Sequence, residues 1–132
     1  MRLKEGLKQK TPLSVVLLCG STLEGILLGF AIGDVQSFNQ ATSSPKHKQT
    51  GKVLQLQEWS LNSLIDVAHE LKLIDLDVKK HSHSLRDFRN YIHPFEQMSA
   101  GFSPTEHTAK ISFQVLKAAI AQLSENRHNT LK

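Results

Sequence analysis

The chain has 132 residues, with 16 Lys and Arg against 12 Asp and Glu for a formal charge of +4, and is 39% hydrophobic and 21% charged. A chain of this length buries about two-thirds of its extended surface, enough for one core and not for two, and the composition is that of a globular domain rather than a disordered one. A single cysteine excludes an internal disulfide framework, a zinc ribbon and a four-cysteine cluster, and points to a reducing, cytoplasmic setting.

Residues 1–10 form a basic, polar segment, and an apolar run follows from Leu13 to Ile32. That order imitates a signal peptide, yet no small-x-small cleavage pattern closes the Val15–Leu18 core. Cys19 also follows Leu18, where lipoprotein processing wants a small residue. Glu24 near the midpoint would cost about 2.5–3.5 kcal/mol in lipid. The run is therefore expected to be a buried helix with no membrane association. Thr11-Pro12 supplies an N-cap followed by proline at the first helical position, and Gly33 a stop. A helix apolar on nearly all sides is expected to pack against more than one neighbour. Gly20 and Gly25 would admit a partner helix or a second subunit at close range.

Residues 34–52 are rich in Ser, Thr, Gln, Asn and Lys and show no periodicity, which predicts a flexible loop. A second helix begins after Trp59 with Ser60 as N-cap and an apolar face of Leu61, Leu64, Ile65, Val67, Ala68 and Leu71. Asp75 caps a third helix, expected to run to His93 and stop at Pro94, with a core stripe of Val78, His81, Leu85, Phe88 and Ile92. Ser103-Pro104-Thr105-Glu106 reads as a capping box opening the last helix, whose core positions are Ala109, Phe113, Leu116, Ile120 and Leu123. Residues 126–132 form a polar tail, and Val53–Leu56 is the only short strand candidate. The expectation is one all-α domain over 1–132, an up-and-down bundle of four to five helices.

The chemistry concentrates on the third helix. Arg86 and His93 are seven residues apart, within about 20° of one line on a helix, and Arg89 and Asn90 fall on the same side. This polar stripe lies about 100° from the apolar one, at the edge of a packing face where a cleft or subunit interface would sit. Arginine offers a fixed fork of donors for phosphate, and histidine exchanges a proton near neutrality. Together they suit RNA cleavage without a metal: the 2′-hydroxyl attacks the adjacent phosphate, histidine acts as general acid or base, and arginine stabilises the developing charge. The same stripe would equally serve as a solvated edge, or as pairs to carboxylates such as Glu24.

The run Arg86-Asp87-Phe88-Arg89-Asn90-Tyr91-Ile92-His93-Pro94 resembles the signature of prokaryotic HEPN domains, an arginine followed by four to six residues and a histidine. Gly20-Ser21-Thr22-Leu23-Glu24-Gly25 and the stretch from Trp59 to Ile74 are similar to a bacterial branch of that group, and the likeness spans residues 13–125. The resemblance implies a helical bundle that dimerises through its motif helices, and in many members a metal-independent endoribonuclease with a site composed from both subunits. Such domains occur in toxin–antitoxin and phage-defence systems, which implies RNA as substrate and an antitoxin or defence protein as partner. Arg86 and His93 match the motif spacing, and Asp87 matches the polar residue after the arginine. Arg89 with Asn90 is the competing match, closer to the histidine. Glu24 fits a supporting role, pairing an arginine across the bundle. The alternative is a HEPN-like module without catalysis that dimerises and binds nucleotide, RNA or protein.

Other residues carry less. His81-Ser82-His83 places two imidazoles two residues apart, where helical side chains diverge, so no metal or other cofactor is expected. Cys19 reads as a packing residue, and His69, His107 and His128 as surface residues. Lys79 and Lys80 would guide a phosphate backbone or form a solvated face.

Overall fold

Thr11 starts the first helix as its residue type predicts: the hydroxyl accepts the Ser14 N–H at 3.2 Å, and Pro12 occupies the first turn. The computed structural model describes residues 11–90 and 105–127, with side chains described as far as 87 in the first stretch. These residues form five helices, α1 (Pro12–Gly33), α2 (Val35–Gln40), α3 (Leu61–Glu70), α4 (Leu76–Asn90) and α5 (Glu106–Asn126), with a 3-10 turn at Leu56–Glu58. Among the described residues the β pairing is one isolated bridge, Lys46 to Val53. The molecule is an all-α bundle.

α1 packs against α3, α4 and α5 through a stripe of Val15, Val16, Cys19, Gly20, Leu23, Leu27 and Ala31. It meets more than one neighbour, as its composition predicts, but it does so along one side. The opposite side stays open, with Leu17 40%, Leu18 39% and Ile32 63% exposed. Gly25 lies on that open side, and a methyl group added there or at Gly29 would meet none of the described residues within 4 Å. Among the described helices, Gly25 therefore admits no partner. α1 is also long and apolar enough to cross a membrane by length and composition; here its apolar stripe is packed against the other helices.

The connection over 34–52 carries more structure than its composition predicts. Asp34 caps α2 by accepting the Ser37 N–H at 3.3 Å, and Phe38 is fully buried, its ring 6.2 Å from that of Trp59. One large apolar residue docks this six-residue helix, too short a span for periodicity to register. Beyond it, the Thr42 and Ser43 N–H groups donate to the Glu70 carboxylate at 2.6 and 2.8 Å. A reverse turn follows, closed by His47 N–H to Lys52 C=O at 2.7 Å and Leu54 N–H to Pro45 C=O at 2.9 Å, with Gly51 at φ +72°. Trp59 anchors the far end by donating its indole N–H to Leu54 C=O at 2.9 Å.

α3 begins at Ser60, whose hydroxyl accepts the Ser63 N–H at 3.2 Å, and buries Leu61, Leu64, Ile65, Val67 and Ala68 as expected. It ends in a Schellman turn: Lys72 takes the left-handed conformation at φ 63°, and the Leu73 N–H returns to Ala68 C=O at 2.9 Å. Asp75 then caps α4, accepting the Val78 N–H at 2.9 Å. The same residue is clamped to α5, since Gln122 donates to its carboxylate and accepts its N–H, both at 2.8 Å.

Two expected boundaries shift. The buried stripe of α4 runs Val78, Ser82, Leu85, and His81 is exposed instead of lying in the core. Stripes through 81 and 82 both step by three and four, and neither residue is apolar enough to choose between them; the small serine is the one that packing encloses. Phe88's side chain and Ile92 lie outside the described residues. At α5 the N-cap is Thr105, which accepts the Thr108 N–H at 3.2 Å, so the helix starts later than a box opening at Ser103 predicts. A threonine hydroxyl also serves as an N-cap, if less well than serine, and Ser103 and Pro104 are not described. Ala109, Phe113, Leu116 and Leu123 are buried as expected, and Ile120 is half-buried.

Two stability effects follow from these contacts. Burial works against the Glu70 charge, but the N–H groups of Thr42 and Ser43 outweigh it and hold the carboxyl below its usual range. A folded pKa below the unfolded one stabilises above the unfolded value, about 4.3, and that gain disappears as pH falls through the folded value. Glu70→Gln should lower stability at pH 7 by about 1 kcal/mol or less, because the group is exposed and screened; urea unfolding of parent and variant should converge below about pH 4. Ser82 is 1% exposed and its hydroxyl has no hydrogen-bond partner among the described residues. Ser82→Ala should therefore raise stability by about 1 kcal/mol in the same assay.

Candidate functional site

Steps of four and three along α4 bring Lys79, His83 and Arg86 to one edge beside the buried stripe. α3 faces that edge with Asp66. The His83 Nε2 lies 2.8 Å from Asp66 Oδ1, and the Lys79 Nζ approaches the same oxygen at 3.7 Å. An imidazole held by a carboxylate through one ring nitrogen keeps the other for proton exchange or hydrogen bonding. The His83 side chain is 23% exposed, so it remains within reach of a ligand.

Arg86 follows one turn later. Its side chain is 31% exposed, its Nη2 donates to Asp87 Oδ1 at 2.6 Å, and its Nε is buried without a hydrogen-bond partner among the described residues. Emerging beside Leu85 and Ser82, the guanidinium has its stem and Nε against the core and its tip at the surface. Of the polar stripe expected at the edge of a packing face, only the Arg86 side chain is described, and it stands beside the buried Ser82 and Leu85. Arg89 and Asn90 belong to the last described turn of α4, with side chains that are not described, and His93 lies outside the described residues.

The remaining expected residues distribute as follows. Asp87 is exposed and engaged with Arg86, and Glu24 is half-buried on α1. Lys80 is exposed, whereas Lys79 turns to Asp66 and is half-buried. His81 and His83 diverge as helical neighbours two apart should: His81 lines an apolar groove of 360 Å³ with Val78, Ile111 and Val115, and Lys110 stands at the same groove. A second, more polar groove of 510 Å³ surrounds the Asp75–Gln122 clamp and includes His69 and Glu125. Neither groove contains Arg86 or His83.

Sequence reasoning weighs His83 only as half of a metal pair with His81 and does not single out Asp66. The spacing from Lys79 to His83 to Arg86 was visible, but Asp66 sits on another helix, and nothing in the local pattern announces that the two would meet. Cys19 is a packing residue, as its place in the apolar run predicts: it is buried in the α1 stripe, and burial pushes its thiol up to about 11, too high for a nucleophile near neutrality. At pH 8 a disulfide reagent should leave the native thiol untouched for hours and titrate it within minutes in urea.

Compared with protein-family models, with curated proteins and with solved structures, the chain has no match.

Proposed function

We propose that this chain is a HEPN-like, metal-independent endoribonuclease that acts in the cytoplasm as a homodimer, in a toxin–antitoxin or phage-defence role. The observation that carries the reading is Arg86, half-buried at the edge of α4, with its Nε unpartnered among the described residues and Asp87 directly after it. A guanidinium with its stem set against the core and its tip at the surface is preorganised for a phosphodiester, because little reorganisation is needed when charge develops there. In this reading Arg86 stabilises the phosphate, with Arg89 as the competing arginine and Asn90 beside it. His93 serves as general acid or base, Asp87 and Glu24 orient, and Lys80 guides the RNA backbone. Lys79 contributes less to RNA than its charge suggests, because Asp66 already holds it. The open side of α1, where Leu17, Leu18 and Ile32 flank Gly25 and Gly29, faces away from α4; it suits self-association but not the motif-helix contact. Glycine within a helix costs roughly 1 kcal/mol relative to alanine, and none of the described residues approaches these two closely enough to require it.

One observation favours the alternative of a non-catalytic HEPN-like module that binds nucleotide, RNA or protein. Asp87 already occupies the tip of Arg86 at 2.6 Å, which neutralises the charge a reacting phosphate would need.

Incubation with total RNA or tRNA in excess EDTA separates the two. Cleavage by the parent is expected, with loss of at least about 100-fold in His93→Ala and in one of Arg86→Ala and Arg89→Ala. Cleavage that survives all three substitutions, or none by the parent, would leave the binding module. Sedimentation at micromolar concentration should give a dimer.

A further inference from the structure

Residues 35–57 contain no acidic side chain, and the charged residues among them are Lys46, Lys48 and Lys52, with His47 between the first two. All four are exposed, and among the described residues none of the three lysines enters an ion pair. The cations of α4 differ, since Lys79 is held by Asp66 and Arg86 by Asp87. Of the acids joined to the stretch, Asp34 caps α2 and Glu70 is engaged by the Thr42 and Ser43 N–H groups.

The backbone that presents these lysines is fixed. His47 N–H donates to Lys52 C=O at 2.7 Å, Gly51 N–H to His47 C=O at 2.9 Å, and Lys46 bridges to Val53. Val53 and Leu54 pack against the core, and Trp59 holds Leu54 C=O. A partner meeting cations on such a turn has little backbone left to order. The turn is also tied to the helix that borders the α4 edge. Glu70, its anchor, lies one turn of α3 beyond Asp66, which holds Lys79 and His83. Four residues of helix rise by about 6 Å, and Lys46 follows Ser43 by three residues, a reach of at most about 11 Å.

The tip reads His47, Lys48, Gln49, Thr50 and Gly51. Nothing apolar stands there to enter a bilayer or to form the dry centre of a protein interface. Amines, an amide and a hydroxyl are the groups that phosphate and sugar oxygens accept from.

We infer that the turn over 46–52 is a docking surface for the sugar–phosphate backbone of RNA, contacted by Lys46, Lys48 and Lys52; the inference rests on the reading of RNA as the ligand of this chain. Binding there is independent of sequence, because the backbone is what the lysines meet.

Binding is measured apart from cleavage with a single-stranded 2′-O-methyl RNA, which lacks the attacking hydroxyl. Log affinity should fall linearly with log salt, each lysine contributing about 0.7 to the slope on a single strand. Lys46→Gln/Lys48→Gln/Lys52→Gln should therefore bind more weakly, with a slope shallower by about 2. Lys110→Gln/Lys117→Gln, which removes two exposed lysines of α5, should keep the parent slope. A triple variant with the parent slope, an equal loss per charge in the α5 variant, or a parent that does not bind would each overturn the inference. So would binding to phosphatidylserine vesicles in place of RNA. Cleavage of unmodified tRNA is scored separately: a parent that binds as expected and cleaves nothing supports the docking surface and overturns the ribonuclease reading alone.

Discussion

Burial of one stripe of α1 is the contact on which the rest of the bundle depends. Val16, Cys19, Leu23, Leu27 and Ala31 repeat at steps of three and four and are essentially inaccessible, and α3, α4 and α5 all close on them. A chain of this size supports a single core, so every other helix must present its apolar face to the same line. α5 does so with Ala109, Phe113, Leu116 and Leu123, and α3 with Leu64, Ile65 and Ala68. Even the short α2 is drawn in by one ring, Phe38, against Trp59.

α4 meets that demand and carries the candidate chemistry as well. At about 100° per residue, a helix that buries Val78, Ser82 and Leu85 necessarily places Lys79, His83 and Arg86 at the margin of the same face. Arg86 is half-buried for this reason, and the same geometry leaves its Nε buried with no acceptor among the described residues. The polar edge is thus a by-product of the packing angle, made specific by which side chains occupy it. Asp66 then ties the edge to α3 through His83 and Lys79.

The polar contacts elsewhere do structural work at joints between elements. Glu70 gathers the two N–H groups that follow α2, and Asp75 caps α4 while Gln122 reaches it from α5. Each joins residues far apart in sequence; Asp75 satisfies an N–H that the start of α4 leaves open, and Glu70 satisfies two N–H groups of the connection. The open side of α1 is the counterpart: apolar, nearly uncharged, and spaced by glycines that the monomer does not use.

By itself the sequence determined the four long helices and their caps at Thr11, Ser60 and Asp75, because hydrophobic periodicity and capping hydroxyls or carboxylates act over three or four residues. It also determined that Cys19 would be inert and that two histidines two apart would diverge. Tertiary structure alone decided three other matters: α2 and its ring contact, the choice of Ser82 over His81 for the core, and the meeting of His83 with Asp66. Each turns on a partner 17 or more residues away or on a tie between equally spaced stripes. Local pattern holds no information about which helix will stand opposite, since that is settled only when the common core closes.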